Sequence, residues 1–425
     1  LSFAPAKRRP HLRDLARKLS AKEESNVTLI SLQSPRPEPV RGPPWLALGF
    51  RPFFLMAGIG AVGLMAAWLG TWGSGPGFDG YYGPLGWHSH EMLFGYTTAV
   101  IAGFLLTAVR NWTGIDTLRG PALGALAGVW LAARLLALLA GEPMPGYVTA
   151  AVDLAFLPLL AVALAGPLLR AKHKINLVFL PLLGAMALAN LLVHLEALGI
   201  ARTAGQGNGL MLNAILLLVM IVGGRVIPFF TEKAIPGAVA RHFPWLDWLG
   251  FGALLSLAAA ELLWPRPELI AGLSLLLALT QSLRLAGWHD RRAWSIPILW
   301  VLFTGYGWLA VGFLLKGLGA AGLLAPPLAL HALTTGGIGV LTLGMMARVA
   351  LGHTGRHLAS APLMNLAFVL INLAAAARSL GPLLLPQWYV TWVHGAGGLW
   401  ILAFAIFSLI YAPILLRPRA DGRPG

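Results

Sequence analysis

The sequence predicts an all-α polytopic membrane protein with about twelve transmembrane helices. Three observations carry that fold class. Of 425 residues, 57% are hydrophobic and only 11% are charged, with a mean hydropathy of +0.73, a profile foreign to large soluble enzymes. Apolar runs long enough to cross a bilayer recur along the chain. Lysine and arginine gather at the ends of those runs, the usual pattern of loops held on the cytoplasmic side. That placement accounts for the net charge of +15 without nucleic acid as a partner.

Residues 1–45 stand apart as a basic cytoplasmic tail with a Pro-rich linker, "SPRPEPVRGPP". Leu12, Leu15, Ala16 and Leu19 recur at helical spacing among basic residues. They read either as a short helix on an anionic inner leaflet or as disordered chain. No apolar core follows the basic run, so a signal peptide is not expected. The transmembrane domain occupies 46–417, and 418–425 form a second cytoplasmic tail. Its spans fall near 50–72, 87–109, 121–140, 147–169, 175–199, 209–230, 246–264, 268–287, 295–317, 323–350, 363–384 and 388–416.

Loop charge sets their direction. Loops after even-numbered spans, with the tails, carry Arg110, Arg119, Arg170, Lys172, Lys174, Lys233, Arg241, Arg291, Arg292, Arg356, Arg417, Arg419 and Arg423. Loops after odd-numbered spans carry only Arg202, Arg266, Lys316 and Arg378. Both termini are therefore expected in the cytoplasm.

Direction turns scattered histidines into a constellation. His88 and His90 open the second span, His194 lies near the end of the fifth, and His331 and His394 lie near the starts of the tenth and twelfth. Five of eleven histidines thus share one depth near the outer surface. Ionisable groups persist in hydrocarbon mainly when paired, hydrated or bound to something. Cysteine is absent, which excludes disulfides, Cys-ligated iron–sulfur clusters, zinc ribbons, c-type haem attachment and thiolate copper. Any metal falls to histidine, methionine, carboxylate or backbone oxygen. At about 100° per residue, His88 and His90 point to nearly opposite sides of a helix, so one pair can serve two centres. Glu91 is placed either to orient the His88 imidazole or simply to favour the helix N-terminus. Gly95, Ala99 and Gly103 form a smooth packing face.

The sixth span ends "GGRVIPFFT", the tenth "MARVALGHT", and the second, more loosely, "AVRNWTG". These spans are four apart, which allows a reading of the chain as three diverged four-helix units. In that spacing, and in histidines on spans two and ten, the chain resembles core subunits of haem–copper oxidases.

Four blocks, "LGFRPFFLMAG", "WHSHEMLFGYTTAVIAGFLLTAVRNWTG", "GGRVIPFFT" and "LHALTTGGIGVLTLGMMARVALGHTGR", together resemble the NnrS family. The likeness runs from about 45 to 415. It implies a bacterial inner-membrane protein carrying haem b and copper, linked to nitric oxide and to resistance against nitrosative stress. Combined with the depth argument, it places haem on His331 and either His88 or His90. Copper then takes the other histidine of that pair with His194 or His394. Nitric oxide binding without rapid reduction is the expected function. A quinol-driven reductase or oxidase is the rival enzyme, but the sixth span offers only Met211, Asn213 and Met220, and no histidine cluster. A metal or solute carrier is the third reading, weakened by the scarcity of intramembrane acids, chiefly Asp153 and Glu261.

Overall fold

The computed structural model describes residues 42–71, 80–139 and 144–423. The expected surface helix at 12–19 lies outside them. Twelve helices are long and apolar enough to cross a membrane, and no strand occurs among the described residues. They are α1 (Phe50–Thr71), α2 (Pro84–Thr113), α3 (Gly120–Leu139), α4 (Gly146–Arg170), α5 (Lys174–Ala197) and α6 (Ala204–Ala234). The second half contains α7 (Pro244–Leu263), α8 (Pro267–Trp288), α9 (Pro297–Ala320), α10 (Pro326–His353), α11 (Pro362–Leu384) and α12 (Pro386–Leu416).

Their starts follow from local chemistry. Proline stands at the first turn of α2, α7, α8, α9, α10 and α11, where its missing N–H leaves no hydrogen bond unmade. Gly114, at φ 70°, ends α2 in the left-handed conformation that closes helices without a Cβ penalty.

Sequence neighbours pack as antiparallel pairs, and α12 returns to lie against α1. Arg51 fastens that closure, donating from Nη1 to the Leu415 carbonyl at 2.9 Å and the Arg417 carbonyl at 2.7 Å. Beyond α12, Arg419 donates to the His353 carbonyl at 2.9 Å, tying the tail to the end of α10. The most buried spans are α2, at 89%, and α6 and α10, each at 67%. Tyr96 of α2 meets Thr342 of α10 at 2.6 Å, oxygen to oxygen. These three central helices are the ones whose sequences end alike.

Two of them change pitch. Residues 91–96 of α2 and 332–340 of α10 form π-helical turns, each beginning just after a histidine. Thr97 Oγ1 donates to the Met92 carbonyl at 2.8 Å and so takes up an acceptor within the widened turn. Gly336 lies where an added Cβ would come within 2.6 Å of the Trp308 ring, so α9 and α10 approach too closely for a side chain. Such turns re-aim the residues beside them and occur often at functional sites.

Candidate metal centre

His90 enters the site from α2, Asp153 from α4, and His194 from α5, and all three side chains are buried. Asp153 Oδ2 lies 3.2 Å from His90 Nε2 and 3.0 Å from His194 Nε2. The ligating atoms fall within 4.8 Å of one another. Separations near 3 Å are those of neighbouring donors on a first-row ion with bonds of about 2.1 Å. Each imidazole is held through its other nitrogen. His90 Nδ1 lies 3.1 Å from Glu91 Oε1, and His194 Nδ1 lies 2.8 Å from the Tyr81 hydroxyl. Pairing of this kind fixes the tautomer that leaves Nε2 for a metal.

The surroundings are polar and complete. Asn190, one turn before His194 on α5, donates to Asp153 Oδ2 at 2.7 Å, and its Oδ1 lies 3.1 Å from His90 Nε2. Arg134 of α3 donates from Nη2 to Asp153 Oδ1, while its Nε lies 2.8 Å from Glu91 Oε2. Trp130, one turn earlier on α3, donates to the Gly95 carbonyl at 3.0 Å, which anchors α3 against the π turn of α2. The Tyr82 ring stacks on His90 at 4.3 Å, and its hydroxyl lies 3.2 Å from His90 Nε2.

Charge explains why a cation belongs here. Glu91 and Asp153 contribute two negative charges and Arg134 one positive, leaving one negative charge among groups that are almost wholly buried. Uncompensated charge in a low-dielectric interior is costly. A proton on an imidazole or a monovalent ion cancels it, and a divalent ion leaves one positive charge in its place. Two imidazoles and a carboxylate suit copper, zinc or iron far better than a thiolate-seeking ion.

His88 projects to the other flank of α2. Its ring stacks on Trp68 of α1 at 4.4 Å, and its buried Nδ1 has no hydrogen-bond partner among the described residues. His331 and Arg378 both lie within electrostatic reach of it. His331 Nδ1 lies 2.8 Å from the Pro327 carbonyl, which leaves Nε2 free as a donor. Arg378 donates from Nη2 to the Tyr389 hydroxyl at 3.1 Å, while its buried Nη1 has no hydrogen-bond partner among the described residues. His394 is exposed on α12, bonded to the Val390 carbonyl of its own helix at 3.0 Å, and joins neither group among the described residues.

The structure therefore brings His90 to His194, and His88 near His331. Glu91 does not orient His88. It adjoins His90, because the π turn begins at Glu91 and swings its carboxylate towards α3 and Arg134. Sequence reasoning passed over Asp153, Arg134, Asn190, Tyr81 and Tyr82 as site residues. A signal existed for some: Asp153 and Arg134 are lone charges within apolar helices, and Asn190 and His194 share a helix face.

A twelve-span membrane protein with a buried His-Asp-His group able to hold a metal is the class these features define. The family model described as NnrS protein matches residues 44–419, and the chain belongs to the NnrS family. A comparison with curated proteins gives no match.

Proposed function

We propose that the chain is a haem–copper protein of the bacterial inner membrane that binds nitric oxide and protects the cell from it. The observation that carries this reading is the division of the His-x-His pair between two flanks of α2, each flank with its own donors. On one flank, His90, Asp153 and His194 would hold copper, with Glu91, Tyr81 and Asn190 orienting the donors. On the other, His331 and His88 would hold haem b. Two orphaned buried nitrogens, His88 Nδ1 and Arg378 Nη1, favour an additional polar group there, and a propionate suits Arg378. Of the two further copper candidates, the geometry favours His194 over His394, which is exposed and apart.

Haem would supply an iron able to take a diatomic ligand, which with both His88 and His331 holding it requires one imidazole to give way, and pocket access then decides between binding and activation. The chain's own part is to hold imidazoles in one tautomer, to balance charge through Arg134 and Arg378, and to exclude water. We therefore expect purified protein to contain haem and copper, and nitric oxide to shift its reduced haem spectrum. Nitric oxide consumption driven by reduced quinol should stay far below about 10 per second, the usual enzyme scale. Sustained turnover at that rate would replace this reading with a quinol-linked reductase.

The same proposal sets the histidine end outside and both termini in the cytoplasm, on loop charge. Reporter fusions after Gly75 and after Gly425 should then report opposite sides. Reporters on one side would overturn the orientation.

A further inference from the structure

The three central helices leave a gap where they meet. α2 lends its walls Thr97 and Phe104, α6 Ile215 and Val222, and α10 Ile338 and Thr342, with one residue each from α1 and α9. On each helix the positions are four or seven residues apart and so belong to one face. They lie near the middle of their spans, which sets the gap deep in the hydrocarbon. Thr97 and Ile338 each stand seven residues beyond a histidine, His90 and His331, across the π turns.

The cavity measures about 70 Å³. Apolar cavities of about 150 Å³ take benzene or xenon, so this one has room for a molecule of about two or three heavy atoms. Size excludes a lipid chain, a quinone or a haem. Chemistry excludes water. The walls are almost wholly apolar, and among the described residues only Thr97 and Thr342 bring hydroxyls to them. Thr97 Oγ1 donates to the Met92 carbonyl at 2.8 Å and Thr342 Oγ1 to the Ile338 carbonyl at 2.7 Å. The Tyr96 hydroxyl meets Thr342 Oγ1 at 2.6 Å. No wall donor is left for a water, which needs about two to four polar partners to stay. Nor is the packing slack around the gap. At Gly223, on the same wall, an added Cβ would come within 2.9 Å of the Tyr306 ring of α9. A void among helices fitted so closely forfeits dispersion contacts, and an apolar guest restores them.

We propose that this cavity is a binding site for one small apolar gas molecule. Resting on the haem–copper reading above, its occupant in the cell is nitric oxide, which dissolves in hydrocarbon and reaches the cavity from the bilayer. Xenon, compact and equally apolar, is the probe. Crystals of the purified full chain under xenon pressure should show one anomalous peak within the cavity, with or without bound metals. Val222→Phe, which fills the space, should lower that peak at least fivefold. Val222→Ile, larger by one methylene, should keep the fold and lower the peak about twofold. In reduced, haem-loaded protein, Val222→Phe should also lower at least twofold the fraction of nitric oxide that rebinds within the protein after a light flash. No xenon peak in wild type, a peak undiminished in both variants, or an ordered water or detergent tail filling the cavity overturns the site. A xenon peak with nitric oxide rebinding unchanged overturns nitric oxide as its occupant. Xenon needs neither haem nor copper, so a chain found free of both would sink the reading above and leave the site standing.

Discussion

Asp153→Ala should abolish metal retention and destabilise the metal-free protein by about 3–5 kcal/mol, the cost of breaking a buried charge pair from one side. One carboxylate oxygen faces His90, His194 and Asn190, and the other faces Arg134. Without it, Arg134 keeps Glu91 but remains buried beside an empty space, and the Asn190 amide loses its acceptor. Asp153→Asn separates the two effects. Its amide preserves shape and one acceptor, so the stability loss should be smaller while the charge needed for a metal is gone. Thermal unfolding in detergent gives the first quantity, and metal analysis of the purified protein gives the second. Stoichiometric metal in Asp153→Asn would show that the ion, if any, sits elsewhere.

The second large effect concerns His331. His331→Ala should remove or displace the Soret band in membranes holding normal amounts of protein, while the copper content stays at its wild-type level. His331 reaches the His88 flank of α2, whereas His90, Asp153 and His194 converge on the other. Its Nδ1 contact with the Pro327 carbonyl would leave Nε2 as the nitrogen to hold haem. His194→Ala should do the converse, losing copper and keeping haem. An unchanged Soret band in His331→Ala would remove that residue from the haem site. Loss of both cofactors in each variant would argue for a single merged centre.

The helices were legible because a bilayer demands long apolar runs, and few other folds use them. Alternating spans convert sequence position into an expected depth, which grouped five histidines; the structure joins His90 to His194 and leaves His394 apart. Partnership was harder to read. Asp153 looks, in sequence, like an isolated acid in "AAVDLAF", and nothing local says that His90 and His194 lie opposite it. Glu91 looks set for His88 only while α2 is taken as a regular helix. The π turn at 91–96 leaves no mark in hydrophobic periodicity, because α2 is buried nearly all round. Arg134 and Tyr82 reach the site from α3 and a connecting loop, so only the tertiary arrangement announces them.

The contact between α1 and α12 has a consequence for biogenesis. Arg51 and the carbonyl it grips are 364 residues apart in sequence. At translation rates of about 5–20 residues per second, α1 waits roughly 20–70 s for its partner helix to leave the ribosome. Throughout that interval a guanidinium destined for a fully buried position lacks its native acceptors. Insertion of the nascent chain must therefore shelter α1, through lipid headgroups, the translocon or a chaperone, until the last helix arrives. Ribosome stalling late in the message would release a protein with the helices of its His-Asp-His group already made and its first helix still unlatched.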